Sequence, residues 1–294
     1  MVRPTKFNEK EMIIMPTTTK ILFVYSNSIL EAIAEELSGF HIDHRRHYVL
    51  VFDTETCNTY KDENGRLDCS CGLVYDCGWS VVDTAGNVYI ERSFVNSDIY
   101  NNMKYLMESA YYGWKLPRYE ADLADGTRTL ANTYTIRQAM IADMKAFGIT
   151  EVCAHNARFD VTVLNSTVRW ATKSKVRYWF PYGTIVWDTM KMSRDVIHQM
   201  PTYRKFCEEY ELMTANGRLS TTAENLYRFI TKNPDFEESH TGLEDVQIER
   251  EILWYCERQH KPMRRCLYDN PLPQNDPPTE LQRQIMALAR MGIL

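Results

Sequence analysis

The chain has 294 residues, a formal charge of −5, 44% hydrophobic and 25% charged residues. That is enough for one full α/β core with room for insertions. It excludes a polycation that coats nucleic acid by charge alone, and no apolar run approaches the roughly 20 residues that cross a bilayer.

An acidic balance does not exclude a nucleic-acid enzyme, because carboxylates that hold metal count as negative in the tally. Eight cysteines over this length do not make a disulfide scaffold, and the first residues lack a signal-peptide pattern. A cytoplasmic protein with reduced thiols is expected.

Residues 1–46 read as an N-terminal extension, with a short strand at Lys20–Tyr25 and a Ser-capped helix from Ser28 to Leu37. The main domain is expected over 47–260. It opens on Tyr48–Phe52, an apolar run of strand length and composition. After a polar stretch (Asn58–Gly72), Leu73–Val82 and Asn87–Val95 flank a turn at Asp83–Asn87 and read as an antiparallel hairpin. Cys57, Cys69, Cys71 and Cys77 fall close together but offer only a C-x-C spacing; scattered thiols are the expectation, a zinc clip the alternative.

Residues 98–147 are expected to be mainly helical, with an irregular interruption at Leu116–Thr129 around Pro117 and Gly126. Glu151–His155 is a strand leading into a helix from Ala157 to Thr172. Lys173–Tyr182 mixes basic and aromatic residues and reads either as a strand-binding loop or as a buried connection. Thr184–Trp187 is a strand, Asp188 caps the next helix, and a last long helix runs from Gly242 to Arg258. From 261 to 294 a proline-rich tail follows, ending in a short helix. The order of elements implies an α/β protein: a mixed sheet flanked by helices, with active residues at the carboxyl ends of its parallel strands.

Three acidic segments carry chemistry. Asp53-Thr54-Glu55 follows the first core strand, and i, i+2 carboxylates project from one face. Such a pair repels when buried unless it shares a cation or a proton. On its own D-x-E is a common triplet, and a strand ending in polar turn residues is the default reading. In His155-Asn156-Ala157-Arg158-Phe159-Asp160, Asn156 is placed to cap the helix and Asp160 lies one turn on. In Ser239–Asp245, Thr241 and Glu244 form a T-x-x-E capping box. Asp245 then shares a face with Ile248, Glu249 and Ile252, and His240 precedes the cap on a loop that reaches the same place.

In this order, D-x-E, H-N-x-x-F-D and H-x-x-x-x-D resemble the three motifs of the DEDDh, or DnaQ-like, exonucleases over residues 48–258. The resemblance implies a ribonuclease H-like fold with a five-stranded mixed sheet. It implies that Asp53, Glu55, Asp160 and Asp245 hold two divalent cations, Mg²⁺ or Mn²⁺, and that His240 is the general base. Hard oxygen ligands suit those ions, and an ion pair can activate water and stabilise the departing 3′-oxygen. Thr54, Thr56, Asn156 and Phe159 are the expected contacts to the terminal nucleotide.

The implied activity is 3′→5′ hydrolysis of single-stranded nucleic acid to 5′-mononucleotides, with DNA the favoured strand. An oligoribonuclease-like or tRNA-trimming exoribonuclease is the alternative within enzymes, and an idle nucleic-acid-binding module the alternative outside them. The expected partners are single-stranded 3′ ends and, for proofreading, a polymerase or other replication protein acting in trans. No membrane partner is expected.

Overall fold

A computed structural model describes residues 19–61, 63, 67–108, 110, 112–214 and 216–268. A six-stranded mixed sheet is covered by helices on both faces, in the order β6-β5-β4-β1-β7-β8. Its strands are β1 (Tyr48–Cys57), β4 (Leu73–Asp83), β5 (Val88–Asn96), β6 (Thr129–Ala131), β7 (Glu151–Ala154) and β8 (Ile185–Asp188). A two-stranded ribbon, β2 (Tyr60–Lys61) with β3 (Leu67–Asp68), stands apart. The helices are α1 (Thr19–Ser38), α2 (Ser97–Tyr100), α3 (Lys104–Glu108), α4 (Leu116–Asp125), α5 (Thr133–Phe147), α6 (Arg158–Thr172), α7 (Thr189–Val196), α8 (Pro201–Glu209), α9 (Ala223–Thr231) and α10 (Gly242–Arg258). Among the described residues no helix is long and apolar enough to cross a membrane.

The expected mixed sheet is present, with β6 as a sixth strand. That strand and α4 occupy the stretch read as irregular. Pro117 sits in the first turn of α4, where its missing N–H costs nothing, and Gly126 ends the helix in the left-handed conformation (φ 83°). The two residues bound a helix rather than interrupt one.

The hairpin forms as expected, with β4 and β5 antiparallel; Asp83 Oδ1 accepts from the N–H groups of Ala85 and Asn87 in its turn. Lys20–Tyr25 is not a strand. It belongs to α1, whose Ile29, Leu30, Ile33 and Leu37 pack onto the core. Arg92 of β5 ties that helix down, bonding both Glu36 and Asp143 of α5. The extension therefore docks on the main body through the helix face from Ile29 to Leu37.

The described start of the tail is also docked: Asp188 N–H donates to Arg265 O, and Leu267 N–H to Val186 O, along the β8 edge. The short helix expected further along the tail lies outside the described residues.

β1 explains how the faces are filled. Leu50 and Phe52 enter a core built with α1, α5 and α6, whereas Val49 and Val51 enter a second core built with α7 to α10. The alternation is the strand period of two, and burial on both faces accounts for the unbroken apolar run. β1 also extends further than its apolar part, to Cys57, because β4 continues to pair with it. β7 pairs only with Val49–Val51. Beyond that point β7 turns away into α6, leaving one side of β1 open where the acids lie.

Candidate active site

The strand period carries on past the core. Asp53 and Glu55 continue the face of Val49 and Val51 and so point toward α10; Thr54 continues the face of Leu50 and Phe52 and points toward α6. The carboxylates of Asp53, Glu55 and Asp245 accordingly meet, with ligand atoms all within 4.8 Å of one another. Asp160, from the first turn of α6, approaches from the opposite side; Thr54 Oγ1 donates to its Oδ1 at 2.8 Å. It is 1% exposed and lies outside that three-residue group, although it is the strongest charged influence raising the Asp53 carboxyl.

Electrostatics set this cluster apart from a solvated acidic patch. Burial, with neighbouring carboxylates adding to it, pushes Asp53 and Glu55 well above the usual range. Burial likewise lifts Asp160 to about 7 despite the Thr54 bond, and Asp245 to about 8. Asp245 Oδ1 is buried without a hydrogen-bond partner. A buried oxygen left unpaired costs about 1–3 kcal/mol, more if charged, so the cluster is organised for something that binds there. Clustered hard oxygens, largely withdrawn from solvent and short of counter-charge, are the donor set that Mg²⁺ or Mn²⁺ takes.

The N-terminus of α10 is held by a polar network reaching across the sheet. Asp76 of β4, fully buried, accepts from Gly242 N–H (2.9 Å), from the Tyr119 hydroxyl (2.7 Å) and from Arg128 (3.2 Å). Arg128 also pairs with Glu244 at 2.9 Å. The expected helix start at Gly242 is found, but the T-x-x-E pair works differently. Thr241 gives its hydroxyl proton to Glu244 (2.7 Å) instead of accepting a main-chain N–H. Gly78, opposite Asp53 across the strand pair, lets the helix end lie directly on β4. A Cβ there would sit 2.3 Å from Leu243 N.

His240 lines the same cleft in a left-handed backbone conformation (φ 50°). Its ring stacks on Tyr112 with centroids 4.6 Å apart, and its Nδ1 lies 3.6 Å from Glu238 Oε2. Lys115 Nζ clasps the main-chain carbonyls of Ser239 and His240, fixing the loop. Burial first, and the Lys115 charge second, lower the His240 pKa below its ordinary value, which favours the neutral ring.

The cleft measures about 690 Å³. Thr54, Thr56, Asn156 and Phe159 all line it, with Asp53, Glu55, His240 and Asp245. Asn156 differs from the expected helix cap. It adopts φ 60°, its own N–H donates to Asp188 Oδ1, and α6 begins without a side-chain cap. Asp188 does cap α7, as expected, through Met190 N–H. His155 is a clasp, its two ring nitrogens meeting Thr189 Oγ1 (2.9 Å) and Thr221 O (2.7 Å).

Sequence reasoning missed Glu249, Glu238, Tyr112 and Lys115 as parts of this site. Glu249 was marked only by its place one turn after Asp245; it is 3% exposed, lines the cleft, and its Oε2 has no partner. The basic-aromatic segment 173–182 contributes no residue to the lining of this cleft; Trp179 is buried and Phe180 packs on Phe52. Among the described residues no cysteine belongs to a group able to share a cation.

No family profile and no curated protein matches the chain. Among solved structures it is similar to a 3′-exonuclease described in 3′-end-specific recognition of a histone mRNA stem-loop. That likeness has 12% identity and a TM-score of 0.49, and covers 92% of this chain and 86% of that one. S. pombe Pop2p in its Mg²⁺- and Mn²⁺-bound form is similar at 11% identity and TM-score 0.46, over 80% of this chain and 91% of that one. E. coli Exonuclease I in complex with a dT13 oligonucleotide is similar at 16% identity and TM-score 0.42, over 71% of this chain and 41% of that one. Likenesses at this level assign neither residues nor an activity, and the functional reading rests on the site itself.

Proposed function

We propose that this chain is a divalent-cation-dependent 3′→5′ exonuclease acting on single-stranded nucleic acid. The observation that carries the proposal is the meeting of Asp53, Glu55 and Asp245 within 4.8 Å, with Asp245 buried and Asp53 half-buried, beside His240 in one cleft. Asp160, adjoining Asp53 from α6, would complete the ligand set. When bound, the cations would supply Lewis-acid activation of water and charge stabilisation at the scissile phosphate.

The rest is the work of the chain's own residues. His240, favoured neutral by its surroundings, accepts the proton of the attacking water at a ring nitrogen. Tyr112 and Lys115 restrict its loop, so the imidazole is presented with little reorganisation. Phe159 offers an apolar face to a terminal base, and Thr56 and Asn156 offer polar atoms to its sugar and phosphate. A cleft of about 690 Å³ is suited to one or two unstacked nucleotides rather than a duplex. A paired end must fray before it enters, so single strands are the preferred substrate.

Matched 5′-labelled DNA and RNA single strands test this reading. A descending ladder with 5′-mononucleotide products in Mg²⁺ supports it, and the relative rates on the two strands assign the sugar preference. Immediate release of the labelled nucleotide, or cutting of a circular strand, overturns it.

A further inference from the structure

Beside the all-oxygen group lies a second set of donors. Glu238, His240 and Asp245 also bring their ligand atoms within 4.8 Å of one another. Asp245 belongs to both sets; it is 5% exposed, and its unpartnered Oδ1 is the buried oxygen that marks this place as built for a ligand. The imidazole is held in place by the Tyr112 stack and the Lys115 clasp.

The two sets differ in chemistry. Mg²⁺ takes oxygen ligands and dehydrates reluctantly, whereas an imidazole nitrogen with two carboxylates favours Zn²⁺ and its neighbours in the transition series. The Lys115 ammonium repels any cation here, so an ion that gains only electrostatically is disfavoured and one that bonds strongly to the ring nitrogen is selected.

We propose that Glu238, His240 and Asp245 form a binding site for Zn²⁺ or a similar borderline cation, and that its occupation switches the cleft off. The inhibition rests on the reading of His240 as general base: a ring nitrogen bonded to Zn²⁺ has no lone pair for a proton, and Asp245 is drawn from the other set. The binding itself does not depend on that reading.

The test uses the full chain stripped of metal. In an Asp53→Asn, Glu55→Gln background, which removes the all-oxygen set, Co²⁺ should bind once per chain. Its visible absorption should show nitrogen ligation and be displaced by Zn²⁺. Adding Glu238→Gln or His240→Gln should weaken Co²⁺ binding roughly tenfold or more. Absence of Co²⁺ binding in that background, or binding unchanged by both further substitutions, overturns the site whether or not the chain is a nuclease. For inhibition, Zn²⁺ added over excess Mg²⁺ should suppress the wild-type hydrolysis rate, and Glu238→Gln should require roughly tenfold more Zn²⁺ for the same suppression. Equal sensitivity of the two proteins overturns the switch while leaving the binding result to stand on its own.

Discussion

Replacing Gly78 with Ala should damage a site that this residue never enters. Gly78 faces Asp53 across β1 and β4, and the added Cβ would lie 2.3 Å from Leu243 N and 2.5 Å from Gly242 C. Both are backbone atoms of the α10 N-terminus, so no side chain can swing aside. To restore an ordinary contact of 3.4 Å the helix end must retreat by about 1.1 Å. That retreat stretches the 2.9 Å bond from Gly242 N–H to Asp76, a carboxylate that is fully buried. Overpacking and a weakened buried bond together should cost about 2–4 kcal/mol. Asp245 lies three residues beyond Gly242 and moves with the helix, and a misplacement of about 1 Å at a reacting centre can lower the rate about 100-fold. Urea unfolding followed by tryptophan fluorescence, with single-turnover hydrolysis, measures both effects. Stability within about 0.5 kcal/mol of wild type, together with an undiminished rate, would refute the role given to this contact.

Asp245→Asn or Asp160→Asn should abolish hydrolysis while the metal-free protein melts no lower than wild type, because each replaces a buried carboxyl, whose ionisation the cluster opposes, by a neutral group of the same shape; activity assays and melts in EDTA check both halves. His240→Gln should slow single-turnover chemistry by roughly two to four orders of magnitude with substrate affinity kept, and weakened binding at an unchanged rate would make His240 a substrate contact instead. Asp160 and Asp245 titrate at about 7 and about 8 in the folded chain, against about 4 unfolded, so the native state holds more protons over that interval. The contribution of these two acids to metal-free stability is therefore fully present below about pH 4 and is lost as pH rises through about 8. Melts in EDTA at about pH 5.5 and pH 8.5 should show the loss, and Mg²⁺ should restore more at the higher pH; a flat or rising profile contradicts the burial of these acids.

The parts of the fold that the sequence made legible are those in which one local period decides. The apolar run of β1, the hairpin and the amphipathic start of α10 at Gly242 all follow from strand alternation or from helix spacing. Lys20–Tyr25 misled because its β-branched and aromatic composition suits a strand, whereas it belongs to the same helix as Ile29, Leu30, Ile33 and Leu37, which pack on the core at helical spacing. Pro117 and Gly126 misled because the same residues end helices and begin them, depending on position.

Within the site, the acids were legible from their order and spacing. Lys115 and Tyr112 were not: they reach the His240 loop only through tertiary packing, across 125 residues in the case of Lys115 and the His240 carbonyl. Glu238 lies only two residues from His240, yet nothing in the spacing of a loop indicates that both side chains turn into one cleft.

The central claim is that the clustered carboxylates of β1 and α10 hold the cations on which activity depends. Crystals grown with Mn²⁺ and measured at its absorption edge locate those ions directly. Anomalous peaks should appear between the carboxylates of Asp53, Glu55 and Asp245, and should vanish from this cleft in Asp53→Asn, Glu55→Gln crystals along with Mn²⁺-dependent hydrolysis. A cleft without Mn²⁺ in an active protein, or hydrolysis that survives the double substitution, would contradict it.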